Sequence, residues 1–378
     1  MEPVCFDRLI LMMKEWQKKG IFIEGSYLNI KEISEICKGA GQYPALPPWK
    51  KKVYCFLNEW MGDDDFIIQT TSGTTGKPKQ LRLSKTAMMA SAAKTIDFFE
   101  LGEKQTALLC LPADYIAGKM MMVRSIVSGM HLEITEPLSN PVMPDIQQID
   151  FCAMVPLQVM NYIESYKTPG QIKKLIIGGA ATGTSLENRL LKFPAEAYST
   201  YGMAETCSHI AIRKLNGENR QDRFHVLKGI RISADERNCL VIDADFLSAS
   251  VQTHDIVSIT GEDTFKWLGR FDNLINSAGV KIVPEEVEAS CYQLLSIECA
   301  VTGLPDEILG QKVVYIFEID FLKKTDMPEL VKKLNGLQTK FWKPKEVYAV
   351  EKFPRNASFK IDRHKLREMI INQNPLKI

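Results

Sequence analysis

Residues 70–79 read Thr-Thr-Ser-Gly-Thr-Thr-Gly-Lys-Pro-Lys and follow the apolar run Phe66-Ile67-Ile68. An apolar strand that runs into hydroxyls, glycines and then lysines has the makings of a polyphosphate cradle. Gly73 and Gly76 let the backbone come close to an anion. Successive backbone N–H groups form a nest for its oxygens. The hydroxyls of Thr71, Ser72, Thr74 and Thr75 add donors, and Lys79 brings a point charge. A flexible polar surface loop is the alternative for a stretch this short. The spacing is not that of a Walker A loop, which needs four residues between its glycines and then Lys-Ser/Thr. Here two residues separate Gly73 from Gly76, and Pro78 follows Lys77. Pro78 biases Lys77 toward extended backbone, so the loop does not open directly into a helix.

The elements that must hold this loop alternate. Residues 5–17 and 31–38 read as amphipathic helices, the second stopped by Gly39. Pro44, Pro47 and Pro48 read as a loop. Ser84 is an N-cap for a helix to about Phe99, 107–111 is a strand ended by Pro112, and 117–128 is a helix closed by Gly129. Strands at 151–155, 173–177 and 196–200 alternate with helices at 157–166 and 184–192. That alternation argues for a layered α/β sheet, largely parallel. From about 225 to 270 the runs shorten and read as antiparallel strands. A helix begins at Pro284, followed by strand 312–319, helix 327–335 and strand 346–350. The expected fold class is α/β: a large layered α/β N-terminal domain over 1–271 and a small α+β C-terminal domain over 272–378.

The stretch Thr71–Lys79 resembles the phosphate loop of the adenylate-forming superfamily, which holds acyl-CoA synthetases, luciferases and peptide-synthetase adenylation domains. Further motifs follow in the family's order. Tyr201-Gly202-Met203-Ala204-Glu205-Thr206 resembles Tyr-Gly-x-Thr-Glu. The resemblance implies that Tyr201 packs on adenine and that Glu205 holds Mg2+ on the phosphates. Ala204 replaces the usual threonine, and Thr206 is the candidate to take over its α-phosphate contact. Gly178-Gly179-Ala180 is similar to the segment that lines the adenine pocket. Thr253-His254-Asp255 resembles Thr-Gly-Asp, with Asp255 as acceptor for the ribose hydroxyls and His254 in place of glycine. Gly269-Arg270-Phe271-Asp272 resembles the segment whose arginine, here Arg270, reaches the nucleotide and whose aspartate, here Asp272, is the hinge. Gly279 falls where the pantetheine of coenzyme A runs. In 354–363 Lys360 matches the catalytic lysine, with Phe359 in place of the family's glycine. The C-terminal domain is then a mobile lid. The stretch before the phosphate loop is shorter than is usual in the family, which implies a reduced N-terminal subdomain.

Leu111-Pro112-Ala113-Asp114-Tyr115-Ile116-Ala117-Gly118 resembles the family's acyl-pocket motif, with Tyr115 in place of histidine. In o-succinylbenzoate–CoA ligases an arginine follows that glycine and pairs with the aromatic carboxylate. Arg124 holds that place, on a helix otherwise rich in Met. A charge there needs a partner, either a substrate carboxylate or a structural Asp or Glu. The later Ser208-His209 also suits a compact ligase of this kind. The resemblance therefore implies an ATP-dependent carboxylic acid–CoA ligase that forms an acyl-adenylate, with 2-succinylbenzoate as substrate in menaquinone biosynthesis. ATP, Mg2+ and coenzyme A are the implied cofactor and co-substrates. Other readings are another aryl acid–CoA ligase, an adenylation enzyme that loads a carrier protein, and a non-catalytic nucleotide-binding protein.

Bulk composition agrees with this and adds exclusions. The chain has 378 residues, 45% apolar, enough for two domains with ample core. A net charge of +1 gives no electrostatic attraction to nucleic acid or to a membrane surface. The nine cysteines lack Cys-x-x-Cys pairing and read as reduced thiols of a cytoplasmic protein. The five histidines show no metal-ligand spacing. Early charges (Glu2, Asp7) argue against a signal peptide, and no apolar run is long enough for a membrane span. The expected partners are an aromatic carboxylate, ATP and coenzyme A; monomer and homodimer both remain open.

Overall fold

The computed structural model describes residues 20–39, 46–71, 79–165, 170–337, 339–355 and 361–376. The helix expected over 5–17, the loop residues Ser72, Gly73, Thr74, Thr75 and Gly76, and Lys360 lie outside the described residues, as does the side chain of Thr71. The chain packs as two compact units. One is formed by Met1–Ala181, Leu190–Arg231 and Asp243–Val251, the other by Thr182–Arg189, Ile232–Ile242 and Gln252–Ile378.

In the first unit the strands are β1 (Ile21–Ile23), β2 (Ser26–Leu28), β3 (Phe66–Thr71), β4 (Lys79–Ser84), β5 (Thr106–Leu109), β6 (His131–Ile134), β7 (Ile149–Met154), β8 (Ile172–Ile177), β9 (Glu196–Gly202), β10 (His209–Lys214) and β11 (Phe224–Val226). Its sheet runs β11-β10-β9-β8-β7-β5-β6-β1-β2. From β9 through to β1 the neighbours are parallel, with Leu108 opposite Cys152 and Cys152 opposite Leu175. Parallel strands need crossovers. The helices Ile116–Ser128 and Pro156–Ser165 supply two of them. β7 (Ile-Asp-Phe-Cys-Ala-Met) is buried at every residue, as a strand covered on both faces must be. β3 and β4 form their own hairpin, in which Thr71 faces Lys79 and the ends of the 72–78 loop are held together. Past Pro78 the chain enters a strand and not a helix.

Local signals explain the helices. The Ser84 hydroxyl accepts from Ala87 N at 3.0 Å and starts the helix Lys85–Phe99. Asn29 and Glu32 form a reciprocal capping box at the start of Ile30–Lys38, and Gly39 ends it at φ 65°. Expectation and structure part at Pro47-Pro48. Pro48 is the first residue of a helix, Pro48–Met61, and not part of a loop. Proline is pre-set for that position because its missing N–H would be unpaired there anyway. Val53, Tyr54, Phe56, Leu57, Trp60 and Met61 bury the helix's apolar face.

Through the second unit run β12 (Ile230–Ala234) and β13 (Cys239–Ala244), whose outer residues belong to the first, then β14 (Val251–Gly261), β15 (Thr264–Arg270), β16 (Ile275–Ser277), β17 (Val280–Ile282), β18 (Ala300–Asp306), β19 (Gly310–Glu318) and β20 (Glu346–Val350). β14 and β15 pair antiparallel, with Asp255 opposite Arg270. The small sheet runs β17-β16-β19-β18, and β20 pairs with β19. Alternate residues of β19 serve two cores. Val313, Tyr315 and Phe317 pack with Val287, Cys291 and Leu330, while Val314 and Ile316 pack with Tyr348, Leu366 and Ile370. Asp272 sits in the short turn Phe271–Asn273 inside this unit. The fold is mixed α/β, with a large sheet unit and a smaller α+β unit.

Candidate active site

In the first unit, two of the expected segments leave the carboxyl ends of adjacent parallel strands, where open α/β sheets bind ligands. Gly178, Gly179 and Ala180 follow β8. Gly178 N donates to Met154 O at 3.1 Å, and a Cβ here would lie 2.6 Å from Thr200 Oγ1. Gly179 takes φ +81°. Only glycine fits both requirements. Tyr201 and Gly202 end β9. A Cβ on Gly202 would lie 2.3 Å from Ser208 O and 2.4 Å from His209 Cα, so glycine permits the tight return into β10. Tyr201 is half-buried, its ring 6.0 Å from that of Phe224. Glu205 stands in the turn, partly exposed.

The Thr206 hydroxyl closes this turn. It accepts from Met203 N at 3.1 Å and has Ser208 O at 2.7 Å and Met203 O at 3.1 Å as acceptors. The residue is fully buried. With its one proton and its acceptor site in use, Thr206 reaches a phosphate only if the turn opens. Lys79 is exposed at the start of β4.

The helix Ile116–Ser128 starts at Tyr115, which is 38% exposed and makes no capping bond with its side chain. A Cβ on Gly118 would lie 2.3 Å from Pro112 O, so glycine lets the first turn pack against the preceding Leu-Pro corner. Two turns on, Arg124 is 2% exposed. Its Nη2 donates to the Ser208 hydroxyl and lies 3.4 Å from His209 Nδ1, and its Nη1 meets the Met121 sulfur at 3.7 Å. Its Nε–H has no acceptor among the described residues. No carboxylate reaches it among the described residues. Burial without a counter-charge pulls the guanidinium down to about 9, which still leaves it protonated at pH 7. His209 is pushed well below the usual histidine range, first by burial and then by the charge of Arg124.

In the second unit Asp255 is buried on β14. Its Oδ1 accepts from Trp267 Nε1 at 3.0 Å, and Arg270 Nη1 stands 3.7 Å away. Asp272 takes Arg270 Nη2 on one oxygen and His254 Nδ1 on the other, each at 2.7 Å. Burial pushes the Asp272 carboxyl up, but those two hydrogen bonds outweigh it and hold it below the usual range. Gly279 (φ +79°) and Ala278 (φ 51°) form the two-residue turn between β16 and β17, a geometry that suits paired positive φ values.

Residues 40–232 match the family model for AMP-binding enzymes, and residues 286–360 match the model for the C-terminal domain of those enzymes. The chain belongs to the AMP-binding enzyme family. A solved acyl-CoA synthetase (AMP-forming)/AMP-acid ligase II-like protein from Dyadobacter fermentans is 34% identical, with TM-score 0.58, over 88% of this chain and 97% of that one. A probable 2-succinylbenzoate–CoA ligase of Mycobacterium tuberculosis is 28% identical over 81% of this chain and 85% of its own length. The 2-succinylbenzoate–CoA ligase of Listeria monocytogenes is 26% identical over 87% of this chain and 76% of its own. The o-succinylbenzoate CoA synthetase of Bacillus subtilis, solved with its acyl-adenylate intermediate, has TM-score 0.68 at 20% identity over 82% of this chain and 70% of that one, a likeness of fold.

For this AMP-binding enzyme, the structure brings Arg124 to Ser208, two residues past Thr206. The helix with the charged side chain thereby touches the turn that carries Glu205. Among the described residues no cluster of three His, Cys, Asp or Glu could cage a metal. Sequence reasoning missed three contacts. Thr95 lies 3.1 Å from His209 Nε2, Trp267 donates to Asp255, and His254 grips Asp272. Only the last left a signal, as a histidine where the resemblance expects glycine.

Proposed function

We propose that this AMP-binding enzyme is an ATP-dependent carboxylic acid–CoA ligase that converts 2-succinylbenzoate to 2-succinylbenzoyl-CoA, a menaquinone-pathway reaction. The observation that carries this is Arg124. A guanidinium 2% exposed, with an orphan Nε–H and no carboxylate partner among the described residues, is a cost to the fold unless something completes it. An aromatic carboxylate supplies the missing charge and an acceptor for that N–H. The curated relatives of that name support the choice of acid.

The succinyl carboxylate attacks the α-phosphorus of ATP and expels pyrophosphate. The coenzyme A sulfur then attacks the acyl carbon, loses its proton and releases AMP. The residue roles are proposals from the resemblance. Thr71, Ser72, Gly73, Thr74, Thr75, Gly76 and Lys79 hold the phosphates, and Lys360 stabilises the charge that builds as adenylate forms. Gly178, Gly179, Ala180, Tyr201 and Gly202 line the adenine, and Thr206 holds their turn. Asp255 accepts from the ribose, and Arg270 serves the nucleotide. Glu205 would hold Mg2+, which neutralises phosphate charge when bound. Tyr115 and Gly118 shape the acyl end, Asp272 is the hinge, and Gly279 lies on the coenzyme A path. Closing a domain over the adenylate keeps water from it.

Mass spectrometry of products from candidate acids with ATP, with and without coenzyme A, tests the reaction. Arg124→Ala tests the substrate. It strands a carboxylate in a dry pocket, so kcat/KM for 2-succinylbenzoate should fall about 100- to 1,000-fold. On 4-oxo-4-phenylbutanoate, which lacks the ring carboxylate, the variant should match wild type. Equal losses on both acids would show that Arg124 does not bind the ring carboxylate.

A further inference from the structure

Behind Arg124 lies a chain of polar groups that the reaction above does not use. Thr95 sits on the helix Lys85–Phe99, and its hydroxyl donates back to Ser91 O at 3.4 Å. That is a bond a helical threonine makes readily. With its one proton committed there, Thr95 Oγ1 can only accept from His209 Nε2, 3.1 Å away. Nε2 therefore carries the ring proton, and Nδ1 presents its lone pair. Nδ1 lies 3.4 Å from Arg124 Nη2 and 3.4 Å from Ser208 Oγ. The other tautomer would turn an N–H against the N–H of a guanidinium and leave Thr95 with no donor. Among the described residues Arg124 is the one charged group that acts on His209. Both side chains are buried, and an imidazolium against a guanidinium in a dry site repels it.

We infer that His209 is a positioning residue for the Arg124 carboxylate subsite: anchored through Thr95 to the Ser91 carbonyl, it holds the guanidinium by Nη2 and leaves the orphan Nε–H for the ring carboxylate. The inference rests on the substrate reading above. An arginine fixed before the ligand arrives loses less side-chain freedom on binding, so the gain appears in affinity and not in the chemical step.

The experiment compares wild type with His209→Leu, His209→Asn and Thr95→Val, using 2-succinylbenzoate and 4-oxo-4-phenylbutanoate. His209→Leu should raise KM for 2-succinylbenzoate about tenfold while kcat, the KM for ATP and turnover of the analogue stay within about twofold. His209→Asn, whose amide oxygen replaces Nδ1 as acceptor, should recover most of the loss. Thr95→Val should raise the same KM about threefold. Independently of any variant, 15N chemical shifts of the ring in the folded wild-type protein should report a neutral Nε2–H tautomer from pH 6 to 8. An Nδ1–H tautomer, an unchanged KM in His209→Leu, or a loss shared equally by both acids overturns the inference. If wild type itself fails to prefer 2-succinylbenzoate over the analogue, the substrate reading fails first and the inference falls with it. A wild type that discriminates while His209→Leu discriminates equally well removes the inference alone.

Discussion

Arg363 and Arg124 are the same residue type in two unlike settings. Arg363 opens the helix Arg363–Ile371. Its two terminal nitrogens fork onto both oxygens of Glu288 at 2.8 and 2.7 Å, and one also meets Val301 O at 3.1 Å. Glu288 in turn accepts from Val301 N at 2.7 Å. Burial pulls the Arg363 guanidinium down, but Glu288 outweighs it and holds it above its usual value. Arg124 is more deeply buried, yet its partners are two neutral side chains and a thioether, and it is pulled down. A structural arginine arrives with its carboxylate. On the function proposed above, Arg124 takes its carboxylate from the substrate. The two arginines differ in the charge beside them and not only in burial.

The most direct way to break the comparison is to make the same change at both places. Arg363→Met strands the Glu288 carboxylate. The pair keeps 25% and 18% of its side chains exposed, so the cost should be about 3 kcal/mol, the low end for a buried pair. Amide exchange at Val301 and its β18 neighbours should then speed up roughly a hundredfold. Arg124→Met removes an uncompensated charge and fills its volume, at the expense of two hydrogen bonds donated to neutral acceptors. Its stability should stay within about 1 kcal/mol of wild type. If Arg124→Met destabilises the chain as much as Arg363→Met, Arg124 is part of the scaffold after all.

This contrast also marks what could be read from residues alone. The 70–79 loop, the helix capped by Asn29 and Glu32 and the stop at Gly39 are local devices, in which chemistry and geometry are written within a few positions. Arg124 stood out because a charge on a Met-rich helix conflicts with its surroundings. Whether it already had a partner was invisible, because that depends on contacts far along the chain. Glu288 and Arg363 lie 75 positions apart, and Thr95 and His209 lie 114 apart. The helix Pro48–Met61 was local and still missed: Pro47-Pro48 punctuates a loop and begins a helix equally well, and only the buried stripe from Val53 to Met61 decides between them.

The comparison sharpens at the neighbours of each arginine. Arg363 leans on a carboxylate, Arg124 on a histidine that must stay neutral. Because the folded pKa of His209 is depressed, unfolded chains bind a proton near pH 6.5 that folded ones refuse. The stability this costs is absent above pH 6.5 and grows as pH falls below it. Denaturation of wild type and His209→Asn between pH 7 and 5 should therefore diverge. Wild type should lose up to about 1.4 kcal/mol more per pH unit below 6.5. Thr95→Val, which keeps the histidine, should track wild type. Parallel curves for wild type and His209→Asn would mean that His209 takes up its proton in the fold, and that Arg124 sits against a second cation.

Arg270 is the intermediate case and carries the smallest expected effect on stability. It has a carboxylate at 2.7 Å, Asp272, and a second at 3.7 Å, Asp255, but 30% of its side chain is exposed. Neither acid depends on it alone: Asp272 keeps His254 at 2.7 Å, and Asp255 keeps Trp267 at 3.0 Å. Asp272 is itself 38% exposed. Arg270→Ala should therefore change stability by less than about 1 kcal/mol, the range of solvent-exposed pairs. If Arg270 serves the nucleotide as proposed, the KM for ATP should nonetheless rise about tenfold, the worth of one charge-assisted hydrogen bond. Stability like that of Arg124→Met together with a change in nucleotide and not acid affinity would place Arg270 with the recognition arginines. A loss of stability near that of Arg363→Met, with ATP binding unchanged, would instead place it with the scaffold and leave the nucleotide to other residues.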